Sequence, residues 1–450
     1  MGDIKMKKIL VIVILSMFLL ASAISVSAIQ INNNNLETLN ISGNTIYVDD
    51  DNTQGPWDGT AEHPFQNIQD GINHASEGDI VYVFNGRYNE AIAISKSITL
   101  QGSDKETTFI EAWASNTITV TAKNVQISGF NIIGKKYYQD AIYINENGQA
   151  LVTDNILKLE DFGSEIKLSY SKNNIITNNE FIGNPAHGVL LLNSNYNTIE
   201  KNICENIKWG ICGENSNYNF FSNNQLNSLE EGIDLIFGCS NNEIVENDFI
   251  NCDRGVNVGC SGNKIHHNNF YSSNPYDWSG ENIWNCENNL GNYYSNYNGV
   301  DNNQDFIGDT AYSIKGCGEV KDNYPLMSAY GKPSAPIISG PTEGAINEPH
   351  EYTFRSVDYD GDQIYYFVTW GNVNSGWMGP YDSGVEKLIK NIWEKEGFYT
   401  IKAKAKDENG NEGEWTYYRV RMPREKGLKT NSFLLKILNQ FPILKQILNL

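Results

Sequence analysis

The chain has 450 residues, 40% of them hydrophobic and 12% aromatic, enough to build cores in more than one domain. Its formal net charge of -21, with no clustered Lys or Arg run in the body, excludes a protein that grips a phosphate backbone, so no nucleic-acid partner is expected. Seven cysteines, an odd number, leave at least one without an intrachain partner.

The chain opens with "MGDIKMKKILVIVILSMFLLASAISVSA", where Lys5, Lys7 and Lys8 precede an apolar run and small residues end at Ala28. This order predicts a secretory signal peptide over 1–28 and a secreted or extracellular cell-surface location. A polar segment, 29–44, follows; it holds the Asn40-Ile41-Ser42 glycosylation sequon.

The next stretch, 45–330, is expected to be all β. In "PFQNIQDGINHA", Phe65, Ile68, Ile72 and Ala75 fall on one helical face, which predicts a helix capping an otherwise open first coil. Strand patterns follow around Val81, Ile92 and Ile98. Then a repeat takes over. Asn174, Asn197, Asn219, Asn242 and Asn263 form one column and Asn179, Asn202, Asn224, Asn247 and Asn268 a second. Two residues after the second column come Phe181, Cys204, Leu226, Phe249 and Phe270, and "GVLLL", "GICGE", "GIDLI" and "GVNVG" supply a third strand per unit. A period in the low twenties with alternating apolar residues is too short for paired helices and predicts a parallel β-helix of about ten coils. Like residues then stack at about 4.8 Å, and the asparagines are expected at the turns, in left-handed geometry, bonding in ladders.

The prolines of "KPSAPIISGPTEGAI" predict a linker over 331–340. Beyond it, "HEYTFRSV", "DQIYYFVTW", "GFYTIKAKAKD" and "WTYYRVRM" alternate like the strands of a small antiparallel β-sandwich over 341–423. The tail, 424–450, is apolar but broken by Lys436, Pro442 and Lys445, and is expected to dock as an amphipathic element on a membrane surface or on its own sandwich.

The segment from Ile46 to Gly102, the "NxIxxNxF…GIxL" units and the closing "GNYYSNYNGVDNNQDFIGD" resemble NosD-like, pectate-lyase-type right-handed parallel β-helix proteins. "DYDGDQIYYFVTWG" with "GFYTIKAKAKDENGNEGEW" resembles a polycystic-kidney-disease-type (PKD) domain of archaeal surface proteins. The resemblance implies the fold but not the activity, since β-helices of this type include lyases, hydrolases, epimerases and binding proteins.

The column Ser164, His187, Trp209, Glu231, Arg254, with Lys208, Glu230 and Asp253 beside it, is the candidate site. Trp209 and His187 would contact a sugar ring. Glu230, Glu231, Asp253 and Arg254 would supply any catalysis, or equally an ordinary salt-bridged turn. Asp234 is expected to point outward with no carboxylate in line. Calcium is the one cofactor expected, on Asp301, Asn303, Asp305 and Asp309 or on Asp358, Asp360 and Asp362, although both stretches also suit solvated turns. Cys239 and Cys260, in one column, are candidates for an inter-coil disulfide. Copper handling, implied by the family's name, finds only the pair His266-His267. The sequence therefore predicts a non-catalytic surface β-helix that binds polysaccharide, glycan or surface-layer proteins, with the sandwich as spacer or docking module. A polysaccharide lyase, hydrolase or epimerase is the alternative, and a periplasmic-type copper-handling protein a lesser one.

Overall fold

A computed structural model describes residues 43–423, apart from 114, 136–137, 161, 184–185, 228 and 372, together with residue 440. The expected signal peptide, the sequon and the tail lie outside the described residues.

Three parallel ten-stranded sheets run the length of the first domain, each coil giving one strand to each sheet. The repeat columns are the sheet registers: Ile199 pairs with Phe221, Cys204 with Leu226, and Ile211 with Ile233. Because the coils are parallel and in register, every inward residue meets its counterpart one coil away. Phe249 stacks on Phe270 at 4.9 Å and Phe270 on Tyr294 at 5.2 Å. Leu226 and Cys204 continue that stack inside the core, fully buried.

Two asparagine spines hold the turns. In the second, each side-chain amide donates to the carboxamide oxygen one coil on, from Asn179 to Asn202 (3.1 Å), Asn224 (3.0 Å) and Asn247 (3.0 Å). Each amide also donates to a main-chain carbonyl on the other side, as Asn202 does to Ile176 at 2.9 Å. The spine ends on a carboxylate: Asn292 donates through its backbone N–H and its side chain to Asp322 Oδ2, which also accepts from Tyr294. Burial pushes the Asp322 carboxyl up to about 6 against the pull of those donors. The left-handed residues are those just before the asparagines, such as Tyr196 (φ 58°), Tyr218 (φ 57°) and Glu246 (φ 58°), rather than the asparagines themselves. The sharp turn at that preceding residue leaves the following amide facing inward, along the stack.

A glycine column, Gly188, Gly210, Gly232 and Gly255, lies at the start of the third-sheet strands, where a Cβ on Gly210 would stand 2.5 Å from the Gly232 carbonyl. One coil earlier the same position is Glu165. Its carboxyl is fully buried, neither oxygen has a hydrogen-bond partner, and burial raises its pKa well above the ordinary carboxylate value.

The capping helix spans Ile68–His74 and buries Ile68, Gly71 and Ile72. Its ends are tied to the first coil by side chains of matching charge. Glu90 accepts from the Ile68 and Gln69 N–H groups (2.7 and 2.9 Å), and the Lys96 ammonium donates to the carbonyls of Ile72, Asn73 and Ala75 (3.1, 2.8 and 2.6 Å).

The second domain packs a three-stranded antiparallel sheet, Ile337–Ser339, Pro349–Arg355 and Lys387–Ile392, against a four-stranded one containing Ile364–Thr369, Asn374–Tyr381, Gly397–Lys406 and Thr416–Met422. Tyr352, Phe354, Tyr366, Trp370 and Trp393 fill the space between. The strand Ile337–Ser339 falls within the stretch expected as a linker, and the Gly- and Pro-containing strand Asn374–Tyr381 carried no alternation to announce it. Among the described residues no helix is long and apolar enough to cross a membrane.

Replacing Asn202 by Ala leaves the Asn179 backbone N–H unpaired and removes one bond each from the Asn179 side-chain amide and the Ile176 carbonyl, at about 1–3 kcal/mol for the buried group left unpaired. Denaturant unfolding is expected to show that loss, whereas Ala at exposed Asn147 stays within about 0.5 kcal/mol. Glu165→Gln has the opposite sign. A carboxyl whose folded pKa lies above its unfolded value keeps its full contribution below about pH 4.5 and loses about 1.4 kcal/mol per pH unit above it. The melting temperature of the variant is expected to match the parent near pH 4 and exceed it increasingly toward pH 8; a gap constant with pH would remove this account.

Candidate functional site

The outer face of the third sheet presents two adjacent columns. The first is the expected strip, with His187 paired to Trp209, Trp209 to Glu231 and Glu231 to Arg254. The second is Cys212, Asp234, Asn257, Tyr276 and Lys315. Parallel registry alone brings these residues together from separate coils.

At the N-terminal end of the strip, Ser164 Oγ lies 3.5 Å from His187 Nδ1, and the imidazole stacks on Trp209 at 5.0 Å. Burial, together with Lys167 and Lys208, lowers the His187 pKa to about 4, so the ring is neutral at pH 7. The Lys208 ammonium sits 4.1 Å from the Trp209 ring centre and 3.7 Å from Glu230. Trp209 is thus engaged within the strip, contrary to the expectation of a face open to sugar.

In the middle, Arg254 forms an ion pair with the largely buried Glu231. Asp234 stands in line with Cys212 and Asn257, as expected, and Glu231 on the same strand places a negative charge near it. Burial and then that negative charge raise the Asp234 pKa, with Asn257 and Arg254 opposing. Asn257 donates to Asp234 at 2.9 Å, and its carbonyl oxygen accepts from Trp278 Nε1 at 2.8 Å. Trp278 is 47% exposed and stacks with Tyr276, over which Arg254 and Lys315 extend. The exposed ring of the site is therefore Trp278, and the bonded acid is Asp234. Asp253 and Glu230 are exposed at the margin.

Arg254, occupied by Glu231, is not a free base. The arrangement can accept hydroxyl groups and stack a ring.

The calcium expectation at 301–309 meets loop geometry that uses the same oxygens. Asp301 accepts from the Asp305 and Phe306 amides (3.1 and 2.9 Å), Asp305 from Ile307 and the Asn303 side chain (2.9 and 2.9 Å), and Asp309 from Asn302 (2.8 Å). The loop's carbonyls face the sandwich: Gln304 O accepts from Arg355 at 2.8 Å and Phe306 O from Tyr359 at 2.6 Å. At the other turn, Asp358 is buried with Oδ2 unpartnered, and burial with Asp360 alongside raises its pKa; Asp362 accepts from Asn409 at 2.6 Å. No group of three His, Cys, Asp or Glu side chains converges as a metal site among the described residues.

Cys239 and Cys260 are free thiols. They continue a serine spine in which each backbone N–H donates to the next coil's side chain, from Ser194 to Ser216 Oγ (3.0 Å) and from Cys239 to Cys260 Sγ (3.1 Å). With both Cβ vectors parallel, the sulfurs stack as hydrogen-bond acceptors instead of closing a bridge.

A long parallel β-helix followed by a second, antiparallel all-β domain defines a two-domain β-solenoid class. Residues 69–299 match the family profile described as periplasmic copper-binding protein (NosD), and the chain belongs to that family. It is also 28% identical over 308 residues to a cell surface glycoprotein of Methanothermus fervidus, covering 52% of this chain and 51% of that one, so it spans about half the length of that curated relative. A PKD domain of an M14-like peptidase from Thermoplasmatales archaeon SCGC AB-540-F20 is 40% identical, over 21% of this chain and all of that one, with a TM-score of 0.21. Tailspike protein 2 of the Escherichia coli O157:H7 bacteriophage CAB120 is 10% identical, over 85% and 64%, with a TM-score of 0.30.

Copper in the family description calls for converging His, Cys or Met donors. In the one adjoining His pair, with ring centres 4.7 Å apart, His266 lies 3.2 Å from Glu243 and His267 stacks on Tyr330; His266 Nδ1 and His267 Nε2 are buried without a partner, but no set of three His, Cys, Asp or Glu donors converges there among the described residues. Cys204, Cys239 and Cys252 are core thiols and Cys212 is buried on the outer face, and burial raises the pKa values of all four. The residues present do not fit a copper site.

Because Arg254 lowers the Asp234 pKa, Arg254→Ala leaves Asp234 holding its proton more tightly. A raised folded pKa costs stability only as pH climbs above the unfolded value, so this variant is expected to lose more melting temperature at pH 8 than at pH 5.

Proposed function

We propose that this chain works at the cell surface as a non-catalytic β-helix that binds carbohydrate, or glycan on neighbouring surface components, along the outer face of its third sheet. The observation that carries the reading is the linked set on that face: an exposed Trp278 whose Nε1 donates to Asn257, which in turn donates to Asp234, a ring to stack a sugar beside acceptors for its hydroxyls. The cell-surface glycoprotein relative supports the location. The sandwich acts as a docking module whose Arg355 and Tyr359 grip the 301–309 loop.

The test is a polysaccharide panel with and without Ca²⁺, followed by binding calorimetry and by assays for unsaturated products and new reducing ends. Binding without turnover is expected, and Trp278→Ala should weaken it about tenfold, the loss of roughly 1.4 kcal/mol of stacking. Turnover that disappears in Glu231→Ala or Asp234→Ala would replace this reading with an enzyme.

A further inference from the structure

A second polar cavity, of about 410 Å³, lies where the outer face of the second sheet meets the sandwich. It is within the size range of small-ligand pockets. Its floor is another registered column, Gln225, Asp248 and Asn269, with Tyr271 beside it. Its far wall is Asp360 and Asn411, from two turns of the sandwich.

The junction is built rather than accidental. Asn269 accepts from the Tyr330 N–H (2.8 Å) and donates to the Tyr330 carbonyl (3.1 Å) and to Asp248 Oδ1 (2.7 Å), which fixes the connecting segment against the sheet. Tyr330 stacks on His267 at 4.6 Å. Glu246, on its left-handed turn, accepts from Asn223 at 3.0 Å and stands beside the Tyr330 ring. Three carboxylates, Glu246, Asp248 and Asp360, thus border the cavity against one cation, Lys332. No three of its acidic groups converge as a cation site. The surplus of acceptors suits hydroxyl donors and repels acid groups.

We infer that this interdomain cavity is a second binding site, selective for hydroxyl-rich saccharides that carry no acid groups. It rests on the carbohydrate reading above but uses none of the residues of the third-sheet strip. Neither domain forms it alone, so the docked sandwich completes the site.

The test titrates the full chain with neutral trisaccharides of glucose, mannose and galactose and with trigalacturonate, on the parent and on Asp248→Asn, Asp360→Asn and Trp278→Ala, each checked for an unchanged melting transition. At least one neutral trisaccharide is expected to bind, with affinity falling tenfold or more in both Asp248→Asn and Asp360→Asn and surviving in Trp278→Ala; trigalacturonate should bind there at least tenfold more weakly. Binding lost only in Trp278→Ala would assign the sugar to the strip and overturn the cavity site while leaving the first reading intact. Binding indifferent to both Asp variants, preference for trigalacturonate, or no binding by any neutral probe would overturn it as well.

Discussion

The molecule depends on one interaction repeated along its axis, the side-chain amide of one coil bonded to the amide of the next. Each asparagine in the second spine satisfies a main-chain carbonyl behind it and a carboxamide ahead, and its own oxygen receives two N–H groups. A buried turn would otherwise strand those groups without water. A carboxamide offers donors and an acceptor at once, so the spine propagates until a residue that only accepts ends it. Asp322 is that residue.

Parallel registry also explains how outer surfaces acquire function. A residue repeated at one position of the coil becomes a row about 4.8 Å apart, and a departure from the repeat becomes a local feature in that row. Glu231, Asp234 and Trp278 are such departures on the third sheet, and Asp248 and Tyr271 on the second. The inward columns tolerate fewer. Cys204 fits where Phe and Leu stand, whereas Glu165 takes the position that later coils give to glycine, and its carboxyl remains without a partner.

The second domain is fastened to the end of the solenoid and does not hang from a free linker. The 301–309 loop folds its own carboxylates inward onto its amides and turns its carbonyls outward to Arg355 and Tyr359. The Arg355 guanidinium also lies over the Phe306 ring at 5.1 Å. The acidic stretch thereby serves as a socket for the sandwich.

Periodicity in the sequence determined the β-helix, the strand registers, the capping helix and the row from His187 to Arg254, because stacking at a fixed interval turns spacing along the chain directly into neighbourhood in space. Four of the sandwich strands were equally legible from their alternation. Tertiary structure alone decided which side chains are spent and which are open. Trp209 is engaged by His187 and Lys208 while Trp278 is exposed, Asn257 links Asp234 to Trp278, the cysteine pair stacks without bonding, and Asp322 terminates the spine from thirty positions beyond Asn292. Those outcomes turn on side-chain direction, burial and contacts between distant segments, and a repeat pattern carries no term for any of the three.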